Sequence, residues 1–169
     1  MFQPISKPLI STIIKTRVPV WLLVGALAAQ FVINSANQQI EPNCSINVQR
    51  VHQSTYSLEF QNLSEAKIKI STLCDVPQAY TSLTVNFEEV LPNRGNKVVK
   101  TVPNIIARPK PNRDNYVLIE NLTLPCNGKG QAEYLGRAFG QVHLKDNRTV
   151  NVSGRSNIPM LLNCRISAR

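Results

Sequence analysis

Beyond residue 43, apolar residues recur at every second position in short runs. Cys44, Ile46 and Val48 share one phase, as do Tyr56, Leu58 and Phe60, and Ala66, Ile68, Ile70, Thr72 and Cys74. Leu83, Val85 and Phe87 form another set, with Thr84, Asn86 and Glu88 on the opposite phase. Later sets are Leu118, Leu122 and Leu124; Val142 and Leu144; Val150 and Val152; and Met160, Leu162, Cys164 and Ile166. Successive side chains of a strand point to opposite faces, so this period marks strands buried on one side. Turn formers separate the runs, among them Asp75-Val-Pro, Pro92-Asn-Arg-Gly, Asn127-Gly-Lys-Gly and Asp146-Asn. No segment in this region keeps a helical period through three turns. The pattern predicts an all-β fold, a β-sandwich immunoglobulin-like in outline. The single tryptophan, Trp21, lies outside it, so the immunoglobulin Cys–Trp–Cys arrangement is absent.

The N-terminal part reads differently. Val18 to Ile33 carries no charge, and Lys7, Lys15 and Arg17 precede it. A membrane-spanning helix needs about 20 mainly apolar residues. Asn34, Ser35 and Ala36 extend the stretch toward that length, and Trp21 stands where an interfacial aromatic belongs. The excess of cations before the stretch puts the N-terminus in the cytoplasm and the rest outside. A cleaved signal peptide is the other reading, because Ala26-Leu27-Ala28 fits a small-residue cleavage pattern. Either way residues 1–36 are an export signal or signal-anchor, 37–43 a polar linker, and 44–169 an extracytoplasmic domain.

Three of the 19 lysines and arginines precede residue 36, leaving 16 against ten acidic residues, a net +6 on the exported part. Such a domain attracts anionic partners. Aromatic residues are few, which argues against a stacking surface for single-stranded nucleic acid, and no specific nucleic-acid partner is expected. The most basic region runs from Arg94 to Arg113. It includes Lys97, Lys100, Arg108 and Lys110, and prolines at 103, 109 and 111. These six cations are the candidate binding residues, on a strand end and a proline-stiffened connection that does not enter a central strand.

All four cysteines, Cys44, Cys74, Cys126 and Cys164, follow the apolar stretch, with no C-x-x-C spacing. Long spacings disfavour zinc and dithiol redox chemistry, and export favours structural disulfides. Of the three pairings, Cys44–Cys164 with Cys74–Cys126 is preferred. A simple meander would set Cys44 and Cys74 at opposite ends of their strands.

His52 and His143 have no local nucleophile or carboxylate in a catalytic spacing, and Glu88-Glu89 point to opposite faces. The glycines fit neither a phosphate loop nor a dinucleotide fingerprint. No catalytic, metal or cofactor site is therefore expected. Asn-x-Ser/Thr occurs at Asn43, Asn62, Asn121, Asn147 and Asn151, where glycans could be carried in a suitable host. The expected function is a non-enzymatic binding or assembly protein outside the cytoplasm, periplasmic or secreted. Its partner would be an extracytoplasmic protein or an anionic surface, and residues 18–36 would hold it to a membrane if uncleaved. The alternatives are a structural subunit of a surface appendage or envelope complex, and a small hydrolase.

Overall fold

The computed structural model describes residues 41–126 and 128–166. Residues 1–40, on which the expected export signal and the first linker residues fall, lie outside the described residues. In chain order the elements are β1 (Cys44–Val48), β2 (His52–Gln53), α1 (Thr55–Gln61), β3 (Glu65–Cys74), β4 (Gln78–Leu91), β5 (Gly95–Ala107), β6 (Tyr116–Pro125), β7 (Ala132–Leu144), β8 (Thr149–Arg155) and β9 (Met160–Leu162). Among the described residues no helix is long and apolar enough to cross a membrane.

The strands form two antiparallel sheets. In the first, β1 and then β2 pair with successive parts of β3, and β6 pairs with β3 along its length. The second has the order β5-β4-β7-β8, and β9 continues the line of β8 along β7. Alternation does what the sequence predicts. Ala66, Ile68, Ile70, Thr72 and Cys74 of β3 and Leu83, Val85 and Phe87 of β4 are buried between the sheets. Each large apolar side chain so buried contributes about 1.5–3 kcal/mol. The sheets lie close: a Cβ on Gly136 of β7 would stand 2.0 Å from the Ile68 Cδ1 of the opposite sheet.

Three expectations on phase are corrected. Tyr56, Leu58 and Phe60 belong to the helix α1 rather than to a strand. Ser54 caps its N-terminus by accepting the Ser57 N–H at 3.3 Å, and Asn62 ends it in the left-handed conformation. Local capping thus overrode a period too short to specify a strand. In β6, Leu118 does not share the inward phase of Leu122 and Leu124. The register slips between Ile68 and Ile70, so an extra residue in β6 turns Ile119 inward with Val117 instead. Met160 is partly exposed although Leu162, Cys164 and Ile166 beyond it are buried.

The disulfide pairing is also corrected. Cys44 bonds Cys74, and Cys126 bonds Cys164. In an antiparallel pair the start of one strand faces the end of the other, so Cys44 and Cys74 are direct cross-strand neighbours. The second bond joins the residue after β6 to the segment after β9, and so links the two sheets. Two closed disulfides suit an oxidising, extracytoplasmic environment.

Asparagine has a backbone use here. The described non-glycine residues with positive φ are Asn62, Asn93, Asn104, Asn112 and Asn147. Asparagine tolerates the left-handed region better than other L-residues, so part of its abundance is turn chemistry.

Candidate functional site

The basic run is spread along β5 and does not converge. Arg94 lies in the turn before β5, and Arg108, Lys110 and Arg113 lie in the connection after it. Thirteen extended residues separate these groups by about 40 Å. Lys97 and Lys100 sit on the strand between. Arg94, Lys97, Arg108, Lys110 and Arg113 are exposed.

Acidic groups offset part of the charge at the far end. Lys110 meets Glu120 at 3.7 Å, Lys145 pairs with Asp114, and Arg148 meets Asp146 at 2.7 Å. Hydrogen bonds from the Arg148 side chain, then from its backbone N–H, hold the Asp146 carboxyl below the usual carboxylate range. Arg108 and Arg113 make no ion pair with the described residues.

β5 is the edge of its sheet, which gives its composition a second meaning. Its pairing with β4 slips twice, and one slip falls at Pro103-Asn104, where Asn104 has a φ of 55°. Proline, lysine and bulges are the devices that keep an edge strand from pairing with another chain. Pro103 fits because an edge strand can spare an outward N–H. The proline segment is therefore only half a connection: residues up to Ala107 are strand, and the loop begins at Arg108.

A second set of charges meets on the outer face of the five-stranded sheet. Arg137 of β7 and Arg155 of β8 are cross-strand partners. Glu88 of β4 lies beside them and is only 6% exposed. Its Oε2 accepts hydrogen bonds from the Arg155 guanidinium at 2.9 Å and the Asn96 side chain at 3.1 Å. These four residues, with Val98 and Ser153, line an open groove of about 800 Å³. Alternation places Glu88 opposite Phe87 in phase, but Glu88 faces Arg155 only once β4, β7 and β8 are laid side by side. Sequence reading had no access to that juxtaposition.

The end of the sandwich that carries α1, opposite the Asp114 and Lys145 end, has apolar surface. Tyr56 and Phe60 meet one helical turn apart, their rings tilted by 32° with centroids 5.1 Å apart, and Phe60 is 74% exposed. Leu58, Leu63 and Leu161 are exposed as well.

The two histidines lie in separate surroundings. His143 stacks on Tyr80 at 4.2 Å and shares a hydrogen bond with Thr149. His52 lies in β2, its Nδ1 3.2 Å from the Arg50 carbonyl. As alternation implies, Glu88 and Glu89 point apart, Glu89 meeting Arg165 at 3.6 Å. Among the described residues no three His, Cys, Asp or Glu side chains stand together as a metal site would need.

Comparison with known proteins adds little. No family model matches the chain. No curated protein matches it. The solution structure of a protein described as late embryogenesis abundant (LEA) overlaps 86% of each chain, with a TM-score of 0.41 and 7% identity. A likeness that low carries no argument about fold or function.

Proposed function

We propose that this chain is an exported, non-enzymatic binding module that works outside the cytoplasm and engages an anionic partner, a protein or a surface. The observation that carries this reading is the combination of two closed disulfides with cations left exposed along and beyond the β5 edge. The first suits an oxidising compartment, and the second favours association with negative charge. In this reading Val18 to Ile33 directs export, and residues 18–36 tether the domain to a membrane where they are retained.

An immunoglobulin-like outline is supported by strand order. β1, β3 and β6 occupy the places of strands A, B and E, and β4, β7 and β8 those of C, F and G. Such sandwiches serve widely as recognition domains, and that is analogy of fold alone.

The test is retention of the full chain on immobilised dextran sulfate across a salt gradient. Wild type should be retained at low salt and released as salt rises, because the Debye length shortens to about 8 Å at physiological ionic strength. The variant R108S/K110S/R113S should elute earlier with an unchanged circular dichroism spectrum. Equal retention of the two would remove the basic run from the binding role.

A further inference from the structure

The register sets Arg137 directly opposite Arg155 on one face of the sheet. Directly opposed side chains have Cβ atoms about 5 Å apart, and like charges in that position destabilise the pairing. Glu88 relieves only part of this. Its Oε2 is shared between Arg155 and Asn96, and nothing among the described residues gives the Arg137 side chain an ion pair or hydrogen bond. The carboxylate thus neutralises Arg155 alone, and Arg137 leaves an unspent positive charge at the mouth of the groove.

Glu88 is unusual for an outward-facing residue. A carboxylate this buried is costly unless paired, and a buried pair is weak evidence for stability. Its geometric effect is clearer. It fixes the Arg155 fork from below, while the Arg155 side chain remains 47% exposed. A guanidinium has five N–H donors, so most of those on Arg155 stay available to the groove. Arg137 and Ser153 line the same space. Donors from two arginines around one open position, one of them held by Glu88, are what a planar or tetrahedral oxyanion needs.

We propose that Arg137 and Arg155 form a binding site for a single oxyanion, a carboxylate or a phosphate or sulfate group, on the outer face of the β5-β4-β7-β8 sheet. Arg137 and Arg155 bind it, and Glu88 acts as a positioning residue for Arg155. The proposal rests on the reading of the domain as a binder of anions. It is separable from that reading, because its residues lie outside the run from Arg94 to Arg113.

The experiment is a nuclear magnetic resonance titration of the full chain at low ionic strength, with inorganic phosphate in one arm and acetate in the other. Saturable shifts at the Arg137 and Arg155 side chains are expected. Tighter phosphate binding would assign a phosphoryl or sulfuryl group, and equal or tighter acetate binding a carboxylate. R137Q should weaken binding about tenfold, the scale of a lost charge-assisted hydrogen bond. Its thermal midpoint should hold or rise slightly, since R137Q removes one of two directly opposed like charges and Arg137 has no described side-chain partner to lose. E88Q keeps an acceptor for Arg155 while removing the competing negative charge and should bind the anion several-fold more tightly, whereas E88A also releases the Arg155 fork and should bind several-fold more weakly than E88Q, a difference that loss of charge alone does not produce. R108S/K110S/R113S should leave phosphate affinity unchanged even where it abolishes retention on dextran sulfate. The absence of saturable shifts in the wild type, or an unchanged affinity in R137Q, would overturn the site and leave the wider anionic-partner reading to the salt-gradient test.

Discussion

The hydroxyl of Tyr134, in the middle of the core, accepts the backbone N–H of Ile166 at 2.9 Å. A strand residue thereby holds the segment that follows Cys164. Tyr134 is fully buried, and burial pushes its phenol above the usual tyrosine range. Y134F would leave the buried Ile166 N–H without its partner and should cost about 1–3 kcal/mol in urea unfolding. The sign of the pH effect follows from the raised value. The unfolded chain loses the proton first, so the contribution is complete below about pH 10 and declines as pH rises beyond it. Y134F should flatten that part of the alkaline stability profile, and an unchanged profile would show that another group sets it.

Peptide mapping without reduction should recover Cys44 linked to Cys74 and Cys126 linked to Cys164. The closed segments span 30 and 38 residues, so chain entropy gives the two bonds similar weight, about 4 kcal/mol each. The double variants C44S/C74S and C126S/C164S should therefore lose comparable stability in denaturant titrations. A markedly greater loss for one would mean that native packing around that bond outweighs loop closure.

Gly140 should not accept a side chain. A Cβ there would stand 2.1 Å from the Ser82 carbonyl oxygen, which is backbone and cannot swing aside. G140A should force β4 and β7 apart at their longest ladder and cost about 1–3 kcal/mol or more. Thermal unfolding measures it, and a midpoint equal to wild type would refute the close approach.

The helix α1 separates capping from burial. S54A removes the oxygen that accepts the Ser57 N–H and should cost about 1 kcal/mol. F60S replaces a side chain left mostly in solvent and should leave stability within about 0.5 kcal/mol of wild type. The two effects should be read by chemical denaturation, and a larger loss in F60S would show that its ring is covered in solution.

The edge role of β5 predicts a change in self-association. K97V/P103V removes a charge and the residue that cannot donate to a ladder. Light scattering should detect larger species at concentrations where wild type is monodisperse. If both proteins scatter alike, the bulges alone protect the edge.

Strand positions were legible where a long strand buries one face, whereas β5, which has no fully buried residue, and most of β7 were not read as strands. The run from Ala66 to Cys74 and that from Leu83 to Phe87 need no more than alternation to be placed. Alternation fails where another local force is stronger, at the Ser54 cap, or where one inserted residue inverts the phase, as in β6. Disulfide pairing depended on which strands are neighbours, and sequence spacing carries no such information. The same limit hid the Arg137, Arg155 and Glu88 cluster, whose members are remote in sequence and adjacent only through the ladder. The basic run shows the converse relation: charges adjacent in sequence are dispersed by an extended strand.

The disulfide register has a consequence for tension on the chain. A pull on the chain before Cys44 passes through its bond to Cys74, at one end of β3. A pull beyond Cys164 passes through its bond to Cys126, which follows the last residue of β6. β3 and β6 are antiparallel neighbours, with Leu73 facing Tyr116 and Glu65 facing Pro125, so the two loads leave from opposite ends of one ladder. Force is then borne in shear by all the hydrogen bonds of that ladder together, instead of peeling them one by one. The five-stranded sheet, with its groove and edge, lies off this load path and would keep its shape while the domain is under strain.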